Sequence, residues 1–73
     1  MKFLRLEMKA KGYTDYDLNL IEIETGEIIA IFQTNTLELG KLYNMVAHFM
    51  KYEYNENFSL SFKLNEQGEN KNG

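Results

Sequence analysis

Side chains able to do acid–base, metal or nucleophilic chemistry are few in this chain, and their spacing does not bring them together. His48 is the single histidine, in a stretch where apolar residues recur at positions 39, 42, 43, 46, 49 and 50. On a helix of 3.6 residues per turn that places it away from the apolar stripe, beside Lys41, Asn44, Met45, Lys51 and Tyr52. A general base needs a group that orients it and a cleft that holds a substrate, and the spacing supplies neither. Asp15-Tyr16-Asp17-Leu18-Asn19 matches the opening ligand spacing of a calcium loop. Leu20, however, stands where such a loop turns on glycine, and Gly26 occupies the closing position, with Glu27 one residue too late. The chain has no cysteine, which removes disulfides, thiolate metal sites and thiol nucleophiles. Gly12, Gly26 and Gly40 are isolated rather than gathered into a phosphate loop, and no nucleophile elbow or Ser-His-Asp arrangement is present. The expectation is a protein without catalytic, cofactor or metal residues, one that acts by binding.

Two groups of side chains suit binding. Glu22, Glu24 and Glu27 gather negative charge around a turn, with Asp15 and Asp17 at the other end of the preceding segment. Such a rim either steers the domain toward a basic groove or keeps a sheet edge solvated. Tyr13, Tyr16, Tyr52 and Tyr54 fall at turns or element ends, where a half-exposed ring offers large contact area at small rotamer cost. The same rings could stack on bases, and a nucleic-acid-binding module using the sheet face or the helix lysines is the alternative reading. It is disfavoured by a net charge of −3, a single arginine and seven scattered lysines, which form no phosphate-tracking run.

The elements that must carry these residues read in the order β-β-β-α-β. Lys2 to Ala10 alternates, with Leu4, Leu6, Met8 and Ala10 on one face and Phe3, Arg5, Glu7 and Lys9 on the other. Lys11 to Asp15 has turn composition, and a second strand is expected from about Tyr16 to Glu24. Glu24-Thr25-Gly26-Glu27 then makes a hairpin, its glycine free to adopt positive φ. Ile28-Ile29-Ala30-Ile31-Phe32 follows, five apolar residues in a row. A strand wet on one side should alternate, so this run predicts a strand shielded on both faces.

Asn35-Thr36-Leu37-Glu38 resembles a capping box, with Asn35 or Thr36 as N-cap and Glu38 near the third helical position. The helix it opens should stack Leu39, Leu42, Tyr43, Val46, Phe49 and Met50 into a lid for the sheet and fray near Tyr52 to Asn55. Phe58 to Leu64 alternates strictly, with Phe58, Leu60, Phe62 and Leu64 inward. Residues 65–73 hold no apolar side chain and read as a polar, disordered tail behind a single domain of residues 1–64.

The fold class is therefore α+β: a small, mostly antiparallel sheet with one amphipathic helix on one face. One helix roofs one face, and a chain of 73 residues buries only about 60% of its unfolded surface, so a partner surface is expected on the other face. Leu18, Leu20, Ile29 and Ile31, or their neighbours if the hairpin register shifts by one, would form its apolar centre. Tyr16, Glu22, Glu24 and Glu27 would rim it. The partner is a larger protein or a second copy in a homodimer.

The opening residues alternate charged and apolar types, unlike a signal peptide or membrane span, so a cytoplasmic protein without membrane contact is expected. Lys, Asn, Ile, Phe, Tyr and Met, all with AT-rich codons, supply 34 of the 73 residues. That bias is similar to the composition of small proteins of AT-rich bacteria, their phages and mobile elements, many of which bind and modulate a host protein.

Overall fold

The computed structural model describes residues 1–65. Four strands, β1 (Lys2–Lys11), β2 (Asp15–Glu22), β3 (Glu27–Thr34) and β4 (Phe58–Asn65), form one sheet in the order β3-β2-β1-β4. β1 pairs antiparallel with β2, and β2 antiparallel with β3, while β4 lies parallel to β1. The architecture is α+β, as the alternation and the single helical stripe imply. Asn65 closes β4; residues 66–73, the rest of the expected polar tail, lie outside the described residues.

Both hairpins turn where glycine allows it. Gly12 and Gly26 have φ of 74° and 76°, in the left-handed region that costs a residue with Cβ more than glycine. In the second turn the Gly26 N–H donates to the Glu22 carbonyl at 2.8 Å, and the Thr25 hydroxyl accepts from the Glu27 N–H at 3.2 Å.

The helix α1 (Leu39–Phe49) and the π-helical turn that extends it (Met50–Tyr54) cross one face of the sheet. Glu38 itself is the N-cap, with no side-chain capping bond, so the expected box does not form. The Thr36 hydroxyl instead accepts from the Glu38 N–H at 3.1 Å, holding the approach to the helix. At the far end Asn55 takes the left-handed conformation, φ 50°, and its N–H closes on the Met50 carbonyl at 2.7 Å. The fraying expected near Tyr52 is thus replaced by a widened, hydrogen-bonded turn.

Leu42, Val46 and Met50, spaced by four, point straight down and are fully buried against Leu4, Leu6, Met8, Leu18 and Leu20. Phe49 leans toward β3, meeting Phe32 edge-on at 5.8 Å, and Tyr43 leans toward β4, meeting Phe58 at 5.5 Å. Leu39 and Tyr43 were expected inside this stripe; they lie at its flank and are about half exposed. Met45, expected on the outer face, packs against the core instead. The i, i+4 ridge through 42, 46 and 50 fills the contact, which leaves residue 43 to one side and residues 45 and 49 to the other.

Candidate docking surface

The sheet face away from the helix has a direct geometric reading. Along β1 the even residues Leu4, Leu6 and Met8 lie under α1, so Phe3, Arg5, Glu7 and Lys9 point the other way. The register sets Ile21 beside Arg5, Asn19 beside Glu7 and Asp17 beside Lys9 on β2, and Ser59, Ser61, Lys63 and Asn65 beside the same four β1 residues on β4.

On β3 the alternation breaks. Ala30 pairs with Leu20 but Ile28 pairs with Ile21, so two steps on β3 match one on β2, and Ile29 is the extra residue of a β-bulge. Its insertion lets Ile29 and Ala30 both pack toward the core while Ile28 swings out to join Ile31 on the opposite face. The five-residue apolar run therefore comes from a bulge in an edge strand. It is not a strand sealed on both sides, because β3 is outermost and Ile31 is 70% exposed.

Phe3, Ile23, Ile28 and Ile31, all roughly half exposed or more, thus share this face with the buried Ile21. Ile21 stands apart from the core cluster under the helix. Its burial comes from its position between β1 and β3, flanked by Arg5 and Ile28. Together these residues expose roughly 400 Å², within the 300–600 Å² range of the largest apolar patch on a typical monomer, which is often functional. No described residue covers them, since the helix and the 35–38 segment lead to the opposite side of the sheet.

Polar order borders the patch. Arg5 Nε donates to Glu7 Oε2 at 2.9 Å, and Asn65 Nδ2 donates to Glu7 Oε1 at 3.0 Å. The Asn65 bond is the main cause that holds the Glu7 carboxyl below its ordinary pKa, with Arg5 adding to it against partial desolvation. Gln33 Nε2 donates to Asp17 Oδ1 at 3.2 Å farther along the face. The face is thus apolar near the β2–β3 hairpin and hydrogen-bonded and charged at its other end.

The structure redistributes the residues expected at this surface. Leu18 and Leu20 are fully buried under the helix, and Ile29 packs beside them. Tyr16 likewise packs on the helix side of the sheet. The cause is register: β2 turns its even residues inward, so Ile21 takes the open face, and Ile23, just past the end of the strand, is held beside Phe3 by its N–H bond to the Phe3 carbonyl at 2.9 Å. Only Ile31 of the four expected central residues lies there. Glu24 and Glu27 are exposed at the hairpin, whereas Glu22 points to the helix side. There it accepts from Lys2 Nζ at 3.1 Å, and the Lys2 ammonium sits 5.3 Å from the centre of the Tyr54 ring. That bond to Glu22 raises the Lys2 pKa against some desolvation. Phe3 was not expected to contribute, because it sits among charges in the alternation of β1. The adjacency of an aromatic residue to Arg5 on one strand face was the available signal.

A concavity of about 410 Å³ lies elsewhere, between the helix and the start of β4, lined by Tyr43, Ala47, Lys51, Glu56, Phe58 and Met1 among others. It is broad and open, and its charged groups are of both signs. His48 is exposed, and its ring centre lies 4.6 Å from that of Tyr52, the two planes tilted by 48°. Among the described residues no three His, Asp or Glu side chains gather as a metal site, and no helix is long and apolar enough to cross a membrane. No family model, curated protein or solved structure matches the chain.

Proposed function

We propose that this domain is a protein-binding module that docks a larger protein on the open sheet face and acts as an inhibitor or adaptor of it. One observation carries the reading: Phe3, Ile23, Ile28 and Ile31 are exposed side by side on a face that no described element covers. The patch is about half of the ~800 Å² that one partner contributes to a standard interface, so the hydrogen-bonded rim around Arg5 and Glu7 belongs to the contact as well.

The exposed Glu24 beside the apolar end favours a partner with lysine or arginine at the matching edge. A protein suits the face better than a nucleic acid. Its cations Arg5, Lys9 and Lys63 alternate with Glu7 and Asp17, and Arg5 is already paired, so no continuous phosphate track exists. The AT-rich composition, similar to that of small phage and mobile-element proteins, agrees with a modulator of a host protein.

The test is capture of partners from cell extract by the intact chain and by two variants, Ile31→Asp on the open face and Tyr13→Ser on a fully exposed loop residue. The expected result is a stoichiometric partner retained by Tyr13→Ser and lost by Ile31→Asp. Equal retention by both variants would refute the assignment of the face, and a retained nucleic acid released by moderate salt would replace the partner class.

A further inference from the structure

The sheet has two edges, and they are built differently. β3 is bent by its bulge at Ile29, a device that spoils regular pairing with another strand. β4 pairs in unbroken register with β1 from Phe58 to Asn65, contains no proline, and meets no further strand among the described residues. We propose that the outer edge of β4 pairs antiparallel with the same edge of a second copy, joining the two sheets into one.

Backbone phase, side-chain face and charge are all satisfied by a register centred on Ser61. The Lys2 N–H donates to the Asn57 carbonyl at 3.0 Å, so the odd residues of this segment turn their amides toward β1. By alternation Phe58, Leu60, Phe62 and Leu64 turn theirs outward. Antiparallel pairing centred on Ser61 sets Leu60 opposite Phe62 of the second copy and Phe58 opposite its Leu64, each pair exchanging two hydrogen bonds. All four are residues of the helix-side face, so facing side chains meet on the same side of the joined sheet. On the other side Lys63 falls opposite Ser59 and not opposite a second Lys63, so no like charges face each other.

The helix side of this edge is also where apolar surface is left open. Leu64 is 57% exposed, and Tyr43 and Leu39, one turn apart on the flank of α1 that reaches Phe58, are about half exposed. Pairing would cover them. One strand pair with the exposed side chains beside it is smaller than the ~800 Å² per partner of a standard interface, so the dimer is weak and reversible. Its two open faces lie on the same side of the joined sheet, which makes the pair bivalent toward anything that docks there.

Sedimentation velocity of the full chain from micromolar to millimolar concentration, with three variants at exposed β4 positions, tests the pairing. Ser59→Lys sets a cation opposite Lys63 twice by symmetry and should weaken the dimer about three- to tenfold, Ser59→Glu should tighten it by a similar factor, and Ser59→Lys combined with Lys63→Glu should restore it. Circular dichroism of each variant confirms that the fold is kept. A chain that stays monomeric throughout overturns the proposal. So does a dimer indifferent to all three variants, or one dissolved by Ile31→Asp and not by Ser59→Lys, which would place self-association on the open face.

Discussion

Replacing Ile31 by aspartate separates a surface residue from a core residue in a way that the apolar run alone cannot. Full burial of an isoleucine side chain is worth about 1.5–3 kcal/mol. Ile31 is 70% exposed, so under a third of that, about 0.5–1 kcal/mol, is at stake. The poor fit of aspartate to a pleated strand adds up to ~1 kcal/mol. The expected loss is therefore about 0.5–2 kcal/mol. Leu20→Ala, one strand inward and fully buried, removes packing from beneath the helix and should cost about 2–5 kcal/mol. For a domain of this size each kcal/mol moves the melting midpoint by about 4–8 °C. Urea titrations followed by circular dichroism measure both losses under one condition. An Ile31→Asp loss equal to that of Leu20→Ala would mean that the outer face is sealed in the isolated domain, and the docking surface would have to be abandoned.

Two further outcomes follow from local geometry. Gly40 sits in the first turn of α1 with open space where a Cβ would stand, so Gly40→Ala should stabilise the domain by up to about 1 kcal/mol in the same titration; a destabilised variant would contradict the helical backbone there. Glu7 has a folded pKa below its unfolded one, so its contribution is present above the ordinary glutamate value of about 4.3 and is lost as pH falls through the lower folded value. Asn65→Ala removes the bond chiefly responsible, and acid titration of stability should flatten in that window; an unchanged profile would show that the Asn65 contact contributes nothing.

The order of elements was legible because each has an unambiguous period: strict alternation in Phe58–Leu64, four-residue spacing in Leu42, Val46 and Met50, and glycine between two β-branched runs at Gly26. What the sequence left open is what one inserted residue decides. With the bulge at Ile29, residues on either side of it report different faces, and neither Leu18 nor Ile21 carries a polar neighbour pattern that says which of them faces inward. The choice falls to packing under α1, which selects Leu18 and Leu20. Likewise the segment 33–38 holds several residues able to cap a helix, and only the path of the chain off β3 sets Glu38, which makes no capping bond, at the N-cap position. Alternation in β1 already sets Phe3 on the charged face, but its place in an apolar patch depends on which residues the neighbouring strand sets beside it, a property of the whole sheet.

The parallel alignment of β4 with β1 bears on how the chain comes together in time. From Lys2 to Lys9 each β1 residue meets a β4 residue 56 positions away, as Lys2 meets Phe58, whereas β1, β2 and β3 are linked by tight turns and assemble from near neighbours. Closing the long loop costs entropy before its contacts return anything, so the β1–β4 seam and the helix above it set the pace of folding. Leu60→Ala should then slow refolding in stopped-flow experiments by most of its stability loss, while a change confined to faster unfolding would show the seam forming after the barrier. Until that seam closes, the strand destined for the interior of the sheet has a bare flank, and the slowest step of folding is also the one in which stray pairing with other chains is easiest.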